Sequence, residues 1–143
     1  MADVATPMNL VIPREYPYIL LSCVILCIEC FIVGMMVVGG ARFKYFTKEF
    51  MAQFKEEHKK AFGEGKEPAV GGHPDCGDGR YARKLPYGDW VNFNNAMRIH
   101  HNFVESLPTI ITLLLASGLF LPQITMYVGF INAGARIVYV IMY

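Results

Sequence analysis

Charge is what this chain has least of over most of its length. Between Tyr18 and Gly40 the one charged residue is Glu29, and beyond Phe103 only Glu105 and Arg136 occur. All lysines and arginines but Arg14 and Arg136 lie between Arg42 and Arg98. That distribution excludes an evenly charged soluble globule and describes a membrane protein with one polar connection. A net charge of +1 gives no basis for a nucleic-acid partner. Residues 1–17 carry three prolines but no basic stretch and no small-residue cleavage site, so they read as a short lead-in, not a secretory signal. No Gly-Lys-Ser/Thr ending follows the glycines, which excludes a phosphate loop. His73-Pro74-Asp75-Cys76 holds one histidine and one cysteine, too few for a zinc site.

What is there is apolar. Hydrophobic residues make up 54% of the 143, and the mean hydropathy is +0.33. At this length one domain is expected. Residues 18–40 form a run long enough to span about 30 Å of hydrocarbon, with Tyr16 and Tyr18 suited to its interface. Gly34, Gly39 and Gly40 allow close helix contact. Cys23, Cys27 and Cys30 share one helical face and read as small packing residues. Glu29 reads as a protonated or bundle-facing carboxyl satisfied by a neighbouring helix, with a functional carboxylate as the alternative.

Phe43, Phe46, Phe50 and Phe54 recur at helical spacing between lysines and glutamates. They predict that the first helix extends beyond the membrane to about residue 62, with an aromatic stripe for packing or for the bilayer surface. Residues 63–91, rich in Gly, Pro and Asp, read as loop. Residues 92–120 predict a second span that Pro108 should kink, and 124–143 a third. The basic-rich loop should face the cytosol, or the matrix of a mitochondrion. Helices two and three then run antiparallel, with Arg98 and Tyr143 near the loop side. The expected fold is therefore an all-α integral membrane bundle.

The chemistry concentrates in Arg98-Ile99-His100-His101-Asn102-Phe103-Val104-Glu105, followed by Pro108. At about 100° per residue, Arg98, His101, Asn102 and Glu105 fall in one stripe, while His100 points almost opposite to Arg98. Ionisable groups at membrane depth cost about 2.5–3.5 kcal/mol each on insertion scales, so they mark a ligand or ion site by default. One face pairs an anion binder with a cation binder, which suits a ligand with separated charges. The other offers His100 to a neighbouring subunit. On the third helix Arg136, Tyr139 and Tyr143 share a face.

These residues resemble the signature of the MAPEG family, the membrane-associated proteins of eicosanoid and glutathione metabolism. The stretch Arg98 to Glu105 with Pro108 is similar to the family's Arg-X-Gln/His-X-Asn-X-X-Glu motif. Arg136, Tyr139 and Tyr143 resemble its Arg-X-X-Tyr-X-X-X-Tyr pattern, and Ala41-Arg42 its arginine at the exit of helix one. Phe93-Asn94 looks like the microsomal glutathione transferase type-three branch. The resemblance implies a left-handed four-helix bundle assembled as a homotrimer, with glutathione as co-substrate bound between subunits near the loop side. Arg98, Asn102, Glu105, Tyr139 and Tyr143 would contact it from one subunit, and Arg42 and His100 from the next. Ser106 stands where some members carry a ligand-contacting tyrosine. The arginine that stabilises the thiolate would lie about two turns past Tyr143, so the chain is expected to continue there and to supply a fourth span. The connection after helix one is longer than the resemblance implies and reads as an insertion.

Two functions follow. One is a membrane glutathione transferase or peroxidase acting on lipophilic electrophiles or lipid hydroperoxides, in the endoplasmic reticulum or a mitochondrial membrane. The other is a catalytically inactive accessory subunit of a larger membrane complex, in which Arg98, Glu105 and Arg136 would form a structural ion network. In either case membrane lipids are partners and no metal is called for.

Overall fold

In the computed structural model, which describes residues 11–143, every regular element is helical. Helix α1 is Tyr16–Tyr45, α2 Lys48–Ala52, α3 Lys55–Phe62, α4 Tyr87–Ser117 and α5 Pro122–Met142. Much of the expected lead-in, residues 1–10, lies outside the described residues. Proline stands in the first turn of both α1 and α5, where its missing N–H removes no helical bond. Both helices are long and apolar enough to cross a membrane. Helix α4 has 31 residues, about 46 Å at 1.5 Å each; its first half is polar and its second half apolar.

Helices α1, α4 and α5 pack on one another. At the end where α1 and α5 begin, Ile19, Cys23, Leu26, Leu114 and Ala133 form the buried cluster. A Cβ on Gly129 would collide with Ser22 Oγ, so α1 and α5 meet there because a side chain is missing. Gly129 and Ala133, four apart and both buried, are the small-residue pair that lets membrane helices approach closely. Gly40, credited with that role from sequence, has open space beside it, whereas Gly34 does lie at a helix contact. Of the three cysteines on α1, Cys23 is buried, Cys30 half-buried and Cys27 exposed. Cys27-Ile28-Glu29-Cys30 also has Cys-X-X-Cys spacing, with both thiols free.

The loop side differs from the expectation in three ways. First, α1 does not continue to residue 62. It stops at Tyr45, where Phe46 leaves the helical region at φ −103°, ψ 60°. Thr47 then caps α2 by accepting a hydrogen bond from Phe50 N–H at 3.2 Å. The break folds the aromatic stripe inward. Phe46 meets Phe93 edge-on at 4.8 Å and Phe54 meets Tyr81 at 4.7 Å, while Phe43 remains exposed. Second, α4 begins at Tyr87, five residues before the expected 92, with Pro86 at its N-cap. Third, Val33–Val38 is π-helical, Gly39 N–H reaching back five residues to Gly34 C=O. Pro108 lies inside α4, which is unbroken from Tyr87 to Ser117.

The connection is a built cap, not slack chain. Asp75 is buried, and its carboxylate accepts four backbone N–H groups: Gly77 and Gly79 on Oδ1, Tyr81 and Ala82 on Oδ2, at 2.8–3.1 Å. Trp90 Nε1 and Asn94 Nδ2, both on α4, donate to Gly77 C=O. Gly72, at φ +66°, lies so close to Phe46 that a Cβ would be 2.5 Å from the ring. On the outer surface Lys55 pairs with Glu67, which holds the Glu67 carboxyl below its ordinary range and raises the Lys55 ammonium.

Bonds to a charged acceptor contribute roughly 1.5–3 kcal/mol each, and buried donors left unpaired cost about as much. Asp75→Ala should therefore release residues 75–82 by several kcal/mol while the three long helices persist. Hydrogen exchange at the Gly77, Gly79, Tyr81 and Ala82 amides reads this out; unchanged protection there would contradict it.

Candidate functional site

The site begins with the need to seat a guanidinium among apolar helices. Arg136 on α5 does this with three contacts. Its Nη2 donates to Ser106 Oγ on α4, its Nε donates to Asn132 Oδ1 at 3.2 Å, and its guanidinium lies 4.5 Å above the Phe103 ring. Ser106 in turn donates to Asn102 C=O. One turn back along α4, Asn102 Nδ2 donates to Tyr139 OH. Tyr139 and Tyr143 are ring neighbours at 5.4 Å. Two polar ties thus hold α4 and α5 in a single register, and they put Asn102, Tyr139 and Tyr143 together.

Arg98, His101, Asn102 and Glu105 are exposed, while Ile99 and Phe103 on the other side of α4 are buried. The polar stripe therefore lies on the outer surface of the single chain, open on one side, with Tyr139 beside it. All ion pairs among the described residues lie between Lys55 and Arg80. The expected structural network of Arg98, Glu105 and Arg136 is not formed within the chain. Arg136 is held by neutral oxygens and a ring instead.

Two of the expected ligand contacts have other surroundings here. His100 is half-buried, and a Cβ on Gly34 would be 2.9 Å from its Nε2. It faces away from Arg98, as the wheel requires, and rests on the π-helical turn of α1 in its own chain. Arg42 is buried, donates to Gly71 C=O at 3.1 Å and to Asp75 C=O at 2.6 Å, and lies 5.7 Å from the Phe93 ring centre. It anchors the loop to the end of α1 through these two bonds. The partners of Arg42 could not be read from sequence, because they depend on how the 63–86 segment returns to the helix ends; the neighbour of His100 depends on how α1 packs on α4.

One carboxyl escaped the sequence-based site. Glu29 sits on α1 toward α5, and its Oε2 is buried without a hydrogen-bond partner among the described residues. Its stem borders an open apolar groove of about 290 Å³ walled by Val33, Phe103, Val140 and other apolar side chains. The neighbouring helix expected to satisfy it is present, but that oxygen is not satisfied.

Interhelical hydrogen bonds in membrane proteins contribute about 0.6 kcal/mol on average. Tyr139→Phe should accordingly lower the thermal midpoint only slightly and leave the bundle assembled. A loss of helicity or wholesale aggregation in detergent would show that this tie carries the fold.

The sequence profile of the MAPEG family matches residues 19–143. No curated protein and no solved structure matches the chain. The match takes in the polar stripe on α4, the Arg136–Tyr139–Tyr143 face on α5 and the helix that carries Arg42, in an all-helical membrane bundle. The chain belongs to the MAPEG family.

Proposed function

We propose that the chain is a membrane-bound glutathione transferase or peroxidase of the type-three microsomal kind, acting on lipophilic electrophiles or lipid hydroperoxides. The observation that carries the reading is the Asn102–Tyr139 hydrogen bond. It brings an amide and two phenols beside the exposed Arg98 and Glu105. Glutathione, the co-substrate that the family generally uses, has two carboxylates and one ammonium. Arg98 would take a carboxylate by charge-assisted bonds, Glu105 the ammonium, and Asn102 with Tyr139 the peptide groups. Tyr143 would close the site toward the thiol. Because the stripe is open on one side, a neighbouring subunit of a homotrimer would complete it, with the outer edge of His100 turned to that neighbour. Arg42 keeps its place in the loop.

The thiol sets the remaining requirement. A free thiol ionises near pH 8.5 and needs a nearby cation to react at neutral pH. By the family resemblance, that cation would be an arginine about two turns beyond Tyr143. The membrane would be that of the endoplasmic reticulum or the mitochondrion.

A second reading, an accessory subunit of a larger membrane complex without catalysis, is favoured by one observation: residues 46–86 form a folded, anchored cap, which offers a partner a defined surface. Isolation of the protein as a stand-alone homotrimer would count against it.

The test is glutathione titration of purified protein in nanodiscs. Arg98→Ala and Glu105→Ala should each weaken binding about tenfold or more, the 1.4 kcal/mol of one lost charge-assisted contact, and leave the oligomer intact. Dissociation of the oligomer would make the stripe structural. Unchanged affinity would remove glutathione from this site.

A further inference from the structure

We infer that His101 binds the γ-glutamyl end of glutathione, its imidazolium taking the carboxylate that shares a carbon atom with the ammonium. This contact presupposes the proposed function and lies outside the Arg-X-Gln/His-X-Asn-X-X-Glu motif, in which position 101 is variable. Glutathione brings two carboxylates to the stripe, and Arg98 accounts for one. Two other arginines of the bundle are engaged. Arg136 lies on Ser106, Asn132 and the Phe103 ring, and Arg42 is buried against the carbonyls of Gly71 and Asp75. His100 rests against Gly34. His101 is exposed beside Glu105 on the stripe and forms no ion pair among the described residues.

Spacing along α4 assigns each carboxylate. In the γ-glutamyl group the ammonium and one carboxylate sit on a single carbon, so their partners must be close together. Glu105, which would take the ammonium, is one turn from His101, about 6 Å along the axis, whereas Arg98 is about 10.5 Å away. Residues four apart are neighbours on a helix face. The glycine carboxylate, at the far end of the tripeptide, then falls to Arg98. Imidazole is the side chain that ordinarily changes charge near neutrality, at about pH 6.5, so this contact makes glutathione binding tighten as pH falls. Around the stripe stand Arg98 and Glu105 on α4 and Tyr139 and Tyr143 on α5, while α1 packs on the other side of α4 through Ile99 and Phe103. Guanidinium and phenol ordinarily keep their charge state across this range. Protonation of Glu105 would instead weaken binding as pH falls, so direction tells the two groups apart.

The test is glutathione titration of the protein in nanodiscs from about pH 5.5 to about pH 7.5, over which the imidazolium share of a histidine falls from about nine-tenths to about one-tenth. With a charge-assisted contact that strengthens binding about tenfold, affinity should drop about fivefold across that range. His101→Ala should bind nearly as the wild type does at the upper end and lose the dependence. His101→Arg, charged throughout, should keep the tight affinity at both ends. Glutathione glycine ethyl ester, which lacks only the glycine carboxylate, should bind more weakly and keep the dependence. Affinity that does not fall with rising pH, or a fall that survives His101→Ala, would overturn the proposal. So would an ester whose binding no longer responds to pH, because His101 would then hold the glycine end. The His101 variants separate this imidazole from His100 and from any group that a neighbouring subunit brings. Absence of glutathione binding at every pH refutes the proposed function itself, whereas binding without the pH response refutes only the role of His101.

Discussion

A guanidinium among apolar helices has no water to turn to, and much of this bundle follows from how Arg136 is accommodated. It finds Ser106, Asn132 and the face of Phe103. Two of those three are on α4, so seating the charge also fixes the register between α4 and α5. Once that register is set, Asn102 and Tyr139 stand at hydrogen-bond distance one turn away, and the Arg98 stripe acquires a phenolic neighbour. A requirement of solvation thereby becomes the geometry of a binding surface.

At the other end of the bundle water is available, and the design changes. There the chain builds a small core of aromatic rings between α2, the 3-10 turn Ala82–Lys84 and the start of α4. Arg42 and Asp75 hold it through backbone groups, one donating to carbonyls and the other accepting from amides. Both charges are buried, and among the described residues neither pairs with an opposite side chain. The loop is thus tied to the membrane helices by bonds that survive many changes of surface residue.

How much of this could be read in the residues varies with the physical origin of each feature. The apolar runs and their order were plain, because hydrocarbon imposes a length and a composition. The stripe of Arg98, Asn102 and Glu105 and the opposite direction of His100 were plain too, since a helix repeats at a fixed angle. The break at Phe46 was hidden by the spacing of Phe43, Phe46, Phe50 and Phe54, which satisfies a continuous helix equally well; Thr47, a good N-cap three residues before Phe50, was the available sign of a new start. The seat of Arg42 was illegible, because its partners are carbonyls of a distant loop. So was the role of Gly129: a glycine in a helix says that something approaches, not what. Glu29 was seen as an isolated carboxyl, but the groove beside it exists only once α1 and α5 are packed.

The central claim is that Asn102 and Tyr139 act as one unit in shaping the surface where glutathione is held. A double-mutant cycle on glutathione affinity, with Asn102→Ala, Tyr139→Phe and the pair, tests it most directly. If the claim holds, the double variant binds no worse than the weaker single variant, because either change already breaks the shared contact. Losses that simply add would contradict it and leave the two side chains as independent neighbours.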